Sequence, residues 1–173
     1  MANTTGQTLI NFEVFAENIR LPGLVDVELP TIAALSETIK GAGIAGEIDC
    51  VTLGHYGPMA MTLKWRVTES SALLLAAPRV HNLELRGAIQ RLNSATGILE
   101  VTPVKLVTRC QPKSIPLGTL APAAAMEPSA EFSVLYLKVF LNGRATLEID
   151  PLNYVSRNNG VDYLATTRSA LGL

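Results

Sequence analysis

Alternation with a period of two is the strongest constraint in this sequence. In "MTLKWRVT", Met61, Leu63, Trp65 and Val67 share one side of an extended chain, and Thr62, Lys64, Arg66 and Thr68 share the other. A helix would scatter both sets around its axis. A strand sends successive side chains to opposite faces, so this segment reads as a half-buried strand with a wet face. "NLELRGAIQ" repeats the arrangement, with Leu83, Leu85 and Ile89 opposed by Asn82, Glu84, Arg86 and Gln90; "ATLEID" sets Leu147 and Ile149 against Thr146, Glu148 and Asp150. "FSVLYLKVFL" is apolar on both faces, which predicts a strand covered on both sides. Asn142-Gly143 lies between those last two segments and predicts a tight hairpin, because both residues tolerate positive φ.

The remaining segments fit around these strands. "FEVFAENI" and "LVDVELP" read as a further strand pair, ended by Pro30. Ser70-Ser71 caps "ALLLAA", and Pro78 stops it, which predicts one short helix near 70–77. Pro112 to Pro128 holds four prolines without periodicity and is expected as a long surface loop of the kind that meets partners. "VDYLATTRSALGL" predicts a short last helix begun by Asp162 and ended at Gly172. The expected architecture is mainly β: two packed antiparallel sheets forming a barrel-like sandwich with two short helices, in a single domain over 1–173.

At 173 residues the chain can bury a sizeable core, roughly 70% of its unfolded surface. Its net charge of −1 gives no electrostatic pull toward nucleic acid or an anionic membrane. Charged residues make up only 17% of the chain, against about 25% in ordinary soluble domains, and the mean hydropathy is +0.28. So few charges do not cover a small monomer well, which points to partner subunits. "MANTTGQTL" carries neither a basic start nor an apolar run, and no apolar stretch approaches the ~20 residues of a membrane span; a soluble protein that stays where it is made is expected. Cys50 and Cys110 form no CxxC pair and read as reduced thiols.

Three chemical motifs invite testing. Gly41, Gly43 and Gly46 in "KGAGIAGEID" spell G-x-G-x-x-G. A phosphate-cradling loop must leave a buried strand and enter a helix. Polar "ALSETIK" precedes these glycines and "EIDCVTLGHYGP", broken by Gly54, Gly57 and Pro58, follows, so a glycine-rich bend between strands fits better, with positive φ or a close backbone approach excluding side chains. His55 in the turn-like "GHYGP" and His81 at a strand start have no nucleophile signature near them. Asp150, Asn153, Asn158 and Asp162 miss the register of a calcium loop; an exit turn at Asp150-Pro151 and a left-handed turn at Asn159-Gly160 explain them. No enzyme, cofactor or metal site is expected, and with 5% aromatics, stacking on single-stranded nucleic acid is not expected either. On residues alone a β-sandwich ligand-binding module stays open; it requires aromatics exposed on one face, whereas Trp65 is in phase with Met61 and Leu63.

The C-terminal run "LEIDPLNYVSRNNGVDYLATTRSALGL" closely resembles the ending of major tail tube proteins of contractile phage tails and R-type pyocins. The matching positions are Glu148, Ile149, Asp150, Asn153, Asn159, Gly160, Val161, Asp162, Leu164, Arg168, Gly172 and Leu173. Leu29-Pro30, the glycines of the opening motif, and "NFEVFAENIRLPG" as a first hairpin also resemble that family, with Glu17-Asn18 in place of its acidic-glycine turn. "TRCQPKSIPLG" is similar to a further family segment, with Cys110 standing for a Gly and Pro116 for an Asp. The resemblance implies a structural virion protein whose strands join neighbours in hexameric rings, stacked into an inner tube with a continuous lumen-lining β-barrel. It also implies that Gly41, Gly43, Gly46, Asn142, Gly143, Glu148, Asp150, Asn153, Asn159, Gly160, Asp162 and Arg168 serve structure and assembly. The implied partners are the chain itself, tail sheath protein, baseplate and tail terminator proteins, tape measure protein in the lumen during assembly, and phage DNA passing without specific binding. No membrane is among them. The implied place is the virion tail tube, assembled in bacterial host cytoplasm, and tube proteins of R-type tailocins or type VI-like secretion machines are the alternative within this fold.

Overall fold

The computed structural model describes residues 4–173; the first three residues of the N-terminal stretch discussed above lie outside it. The chain runs through β1 (Thr4–Ala16), β2 (Ile19–Arg20), β3 (Leu24–Glu28), β4 (Ala34–Ile39), β5 (Ile48–Tyr56), β6 (Met59–Trp65), α1 (Ser70–Leu74), β7 (His81–Asn93) and β8 (Leu99–Ser114). It continues with β9 (Ser129–Leu141), β10 (Arg144–Asp150), a 3-10 turn (Pro151–Asn153), β11 (Val155–Asn158), β12 (Val161–Asp162) and α2 (Ala165–Leu171). Ten strands form one antiparallel network in the order β12-β11-β10-β9-β8-β7-β1-β2, with β3 and β6 branching from β9. β4 and β5 make a separate two-stranded hairpin.

The branch point has a local cause. β9 pairs with β8 along one edge, and its other edge is divided between β6, from Ser129 to Val134, and β10, from Leu137 to Leu141. Arg109 of β8 faces Tyr136 while Cys110 faces Val134, so Leu135 is an extra residue on β9. A bulge of this kind bends the strand and sharpens its twist, which lets the β6–β3 branch peel away from β10 and fold back over β7 and β1. The same bulge reverses the phase of the side chains. Phe132 and Val134 point into the core before it, and Leu137 does so after it. This corrects the expectation for "FSVLYLKVFL": its apolar character on both parities comes from the phase reversal, and Tyr136, Lys138 and Phe140 remain only half-buried on the other face.

Within the two layers β6 behaves as its alternation requires. Met59, Met61, Leu63 and Trp65 are buried, and they meet Val14 of β1, Leu83 and Leu85 of β7, Cys110 of β8 and Phe132 of β9. Val67 lies beyond the strand and is exposed. Asn142 at φ 49° and Gly143 at φ 74° close the β9–β10 hairpin, and Glu17 at φ 48° and Asn18 at φ 67° close β1–β2 in the same left-handed way. α2 ends as expected, on Gly172 at φ 75°.

Other expectations need correction. β3 does not pair with β1; it lies against β6, with Val27 opposite Leu63, because its apolar residues complete the layer that β6 begins. α1 stops at Leu74, its N-cap is Glu69, and no side chain caps it, so Ser70-Ser71 do not act as caps. β8 runs through Ser114, since Pro112 is tolerated opposite Phe132; the irregular segment therefore begins at 115. His55 lies in β5, not in a turn. Phe132 is fully buried where the layers meet, so Phe132→Ala is expected to lower unfolding free energy by about 3–5 kcal/mol, read from urea denaturation followed by Trp65 fluorescence.

Candidate functional site

Three carboxylates organise the C-terminal third. On β10, Glu148 accepts a hydrogen bond from Tyr136 Oη at 2.9 Å and lies 3.3 Å from both Lys138 Nζ and Arg157 Nη1. Asp150, expected on the wet face, is buried instead, because Arg109 Nη2 donates to it at 2.7 Å and Asn153 donates its side-chain amide at 2.8 Å and its backbone N–H at 3.2 Å. Asp162 accepts from Arg168 Nη2 at 2.7 Å, Arg157 Nε at 3.2 Å and the Leu164 amide at 3.1 Å. Arg168 Nη1 also donates to the Tyr154 carbonyl at 2.6 Å. Arg157 thus bridges Glu148 and Asp162, and β10, β11, β12 and α2 are tied into one clamp. Asn159 at φ 48° and Gly160 at φ 87° supply the left-handed turn that joins β11 to β12.

The clamp sits on the outward face of the sheet, whose cross-strand rows follow from register. One row reads Phe15, Glu84, Val107, Lys138, Glu148, Arg157, and the next reads Glu13, Arg86, Lys105, Phe140. Arg86 caps the Phe15 ring at 4.7 Å, Lys105 and Lys138 flank Phe140 at 4.8 and 5.5 Å, and Arg109 covers Tyr136 at 4.4 Å. Each such contact contributes about 0.5–1 kcal/mol where exposed.

Away from this face, two elements project. The β4–β5 arm carries Gly41, Gly43 and Gly46 at its tip, with Gly43 at φ 92° and Gly46 at φ 150°. A Cβ on any of the three would meet nothing within 4 Å, so positive φ, not crowding inside the subunit, accounts for Gly43 and Gly46. Crowding occurs lower down, at Gly54, where a Cβ would stand 2.5 Å from Leu164 Cδ2. The second element is the 115–128 loop, which closes on itself through Thr119 N–H to Met126 O at 2.9 Å and is fastened by Met126 N–H to Arg66 O at 3.0 Å. Leu120 at its tip is 85% exposed.

The phage tail tube protein FII family model matches residues 6–172. The chain belongs to the phage tail tube protein FII family. The tail tube protein of Escherichia phage P2 is 29% identical over 151 residues, spanning 85% of this chain and 86% of that relative. Among solved structures, the sheath/tube terminator of an extracellular contractile injection system, PVC, in its extended state aligns with a TM-score of 0.52 at 12% identity, over 76% of this chain and 94% of that one. The extended PVC sheath–tube complex gives 0.52 at 11% identity, over 75% and 87%. At such identities these two likenesses concern the fold.

In this tail tube family member Cys110 and His81 are held in the core. Burial pushes the Cys110 thiol up to about 12, and its Sγ donates to the His81 carbonyl at 3.7 Å. His81 is itself buried, with Nε2 3.1 Å from the Ala77 carbonyl. The clamp gathers Glu148, Asp150, Asn153, Asn159, Gly160, Asp162 and Arg168; Gly41, Gly43, Gly46, Asn142 and Gly143 lie elsewhere, at two separate hairpin tips. Sequence reasoning missed the donors Arg109, Tyr136, Lys138 and Arg157. Their signal was parity: Lys138 and Arg157 flank Glu148 in one cross-strand row, but only a known register reveals it.

The clamp responds to acid in a defined direction. The Arg168 hydrogen bond, ahead of the Leu164 amide and Arg157, holds Asp162 below the ordinary carboxylate range. Burial raises Glu148, yet the bonds from Tyr136 and Lys138 and the nearby cations carry it below that range too, while burial, followed by Glu148, pushes Tyr136 up to about 12. Carboxylates depressed on folding stabilise fully above their unfolded values, about pH 4, and lose that contribution as pH falls through the folded ones. Asp162→Asn is therefore expected to unfold at lower urea than the native protein at pH 7, with the difference shrinking progressively as pH falls below about 4. A cycle of Asp162→Asn with Arg168→Met should give a coupling of about 0.5–1 kcal/mol at pH 7 that vanishes in acid.

Proposed function

We propose that this chain polymerises with itself into the inner tube of a contractile phage tail, as hexameric rings stacked inside a sheath and traversed by DNA during ejection. Baseplate and terminator proteins hold the ends of the tube, and tape measure protein fills the lumen during assembly. The polar face of the β1-β7-β8-β9-β10 sheet turns toward the water-filled lumen. The virion is the place of action and the host cytoplasm the place of assembly. The chain is a structural element, not a catalyst.

One observation carries this reading: a chain of the tail tube family leaves large apolar side chains bare on its projections. Val51 is 63% exposed, Leu53 58%, Ile98 60% and Leu120 85%, and no second layer of the subunit covers them. Open strand edges and apolar surface of this kind favour association, and a closed ring of identical subunits satisfies them without runaway lateral growth. Subunit contacts of obligate size, about 2,000 Å² or more, offset the entropy of association. The loop from 115 to 128 serves ring stacking, because its tip is apolar, exposed and anchored at its base.

Negative-stain microscopy of the purified protein tests the reading directly, with rings or tubes expected and a permanent monomer excluding it. Leu120→Glu changes a side chain that contacts solvent, so unfolding free energy should stay within about 0.5 kcal/mol of native. Long tubes should nevertheless be lost from micrographs, leaving rings or short stacks.

A further inference from the structure

The ladder of the β4–β5 arm is interrupted near its root. Ala34 faces Tyr56, but the next pair is Ser36 with Val51, so Leu35 alone stands opposite the four residues 52–55. Gly54, inside that stretch, holds φ at 70°, a left-handed conformation that side-chain-bearing residues resist. Below the break, the Gly57 amide donates to the Ala33 carbonyl at 2.8 Å and closes the root. Beyond it, pairing resumes and runs to Ile39 with Ile48. A two-stranded ribbon is marginally stable by itself, and one that loses its pairing over several residues bends there first. The break has the make-up of a hinge.

What lies on this hinge comes from the C-terminal clamp. A Cβ on Gly54 would stand 2.5 to 2.7 Å from Leu164 Cδ2, Cδ1 and Cγ, so the Leu164 side chain occupies the space that glycine leaves. Leu164 is itself buried. Tyr56 Oη, at the root, is 2.7 Å from Ser156 Oγ of β11, and the body element that β5 approaches most is the 3-10 turn Pro151–Asn153. Leu164 is positioned in turn by its amide, which donates to Asp162 Oδ1 at 3.1 Å, and Asp162 is held by Arg168. α2 buries no side chain of its own, so Leu164 and the bonds of Arg168 to Asp162 and to the Tyr154 carbonyl are what dock it.

We infer that the C-terminal clamp is a latch on this hinge: while α2 is docked, Leu164 fills the break at Gly54 and fixes the direction in which the β4–β5 arm projects. With α2 released, the arm swings about residues 52–55 while its root stays closed by Gly57 and Ala33. The inference concerns a single subunit and goes beyond the tube reading. The coupling is physical because one element has two arrangements, and Arg168 and Gly54 bias the same equilibrium from different sides. A contact made to α2 from outside therefore reaches the arm through Leu164.

Single-molecule energy transfer on the full chain tests this, at picomolar dilution so that separate subunits are observed. Dyes are placed on cysteines at two exposed positions, Ala45→Cys at the arm's tip and Ala145→Cys on the body, in a Cys50→Ser background; Cys110 is buried and stays unlabelled. The otherwise native chain should give one narrow transfer peak. Arg168→Met, altering a side chain bonded to Asp162 and Tyr154 and not to the arm, should shift and broaden that peak, whereas Arg168→Lys, which keeps a cation beside Asp162, should preserve it. Gly54→Ala drives a methyl group into Leu164 with the clamp residues intact and should shift the peak; adding Leu164→Ala removes the collision and should bring it back. Gly54, Leu164 and Arg168 lie outside the main core cluster, so the buried Trp65 should keep its native fluorescence throughout. A native peak as broad as that of Arg168→Met, or a shift in Gly54→Ala that Leu164→Ala does not reverse, would overturn the latch and leave the tube reading standing. Purified protein that never forms rings or tubes would overturn the tube reading alone.

Discussion

One edge of one strand has to satisfy two partners, and the rest of the architecture follows from how that is resolved. β9 gives the first part of its edge to β6 and the second to β10, with the extra residue Leu135 between them. Hydrogen bonding along an edge is obligatory wherever the backbone is buried, so the sheet must fork there. The fork creates the second layer, and the second layer encloses Phe132, Trp65 and Met61. It also leaves two strand edges, those of β1 and β3, that the chain does not close by itself.

The electrostatics complement this plan. A chain with 17% charged residues has few to spare, and it sets Glu13, Glu84, Arg86, Lys105, Lys138, Glu148 and Arg157 in two adjacent rows on one face of the sheet. Glu148, Asp150 and Asp162 each hold more than one donor, and together they fasten the last strands and α2 to the body. Isolated surface ion pairs contribute little, whereas a shared network in which Arg157 serves two acids spreads its ordering cost over several bonds. That the family-like C-terminal residues converge here gives the motif a mechanical meaning: it secures an end of the chain that holds few apolar contacts of its own, Leu164 being the buried exception.

Much of this was legible from residues in isolation. Alternation in β6 fixed which side chains enter the core, and Asn142-Gly143 and Gly172 marked a hairpin and a helix end, because these signals are local. What failed was non-local or depended on register. Nothing within "LVDVELP" says that its partner is β6 and not β1. Asp150 looked solvent-facing by parity, and only Arg109, 41 residues earlier, makes its burial tolerable. The apolar run in β9 looked doubly covered because a one-residue bulge reverses parity without leaving a sequence mark. The glycines at the arm's tip form the bend between strands that their sequence predicts; the crowding is at Gly54, against Leu164, and at Gly118, against the Met126 carbonyl, which no spacing rule singles out.

The ring-capped cations of the outward sheet face have a bearing on transport. Arg86, Arg109 and Lys138 are each shared between an aromatic ring and a carboxylate, so their positive charge is already engaged. In the tube proposed above, where this face lines the lumen, a passing polyanion meets cations that rings and carboxylates already hold. Shallow wells of that kind let a long, highly charged thread slide with little friction.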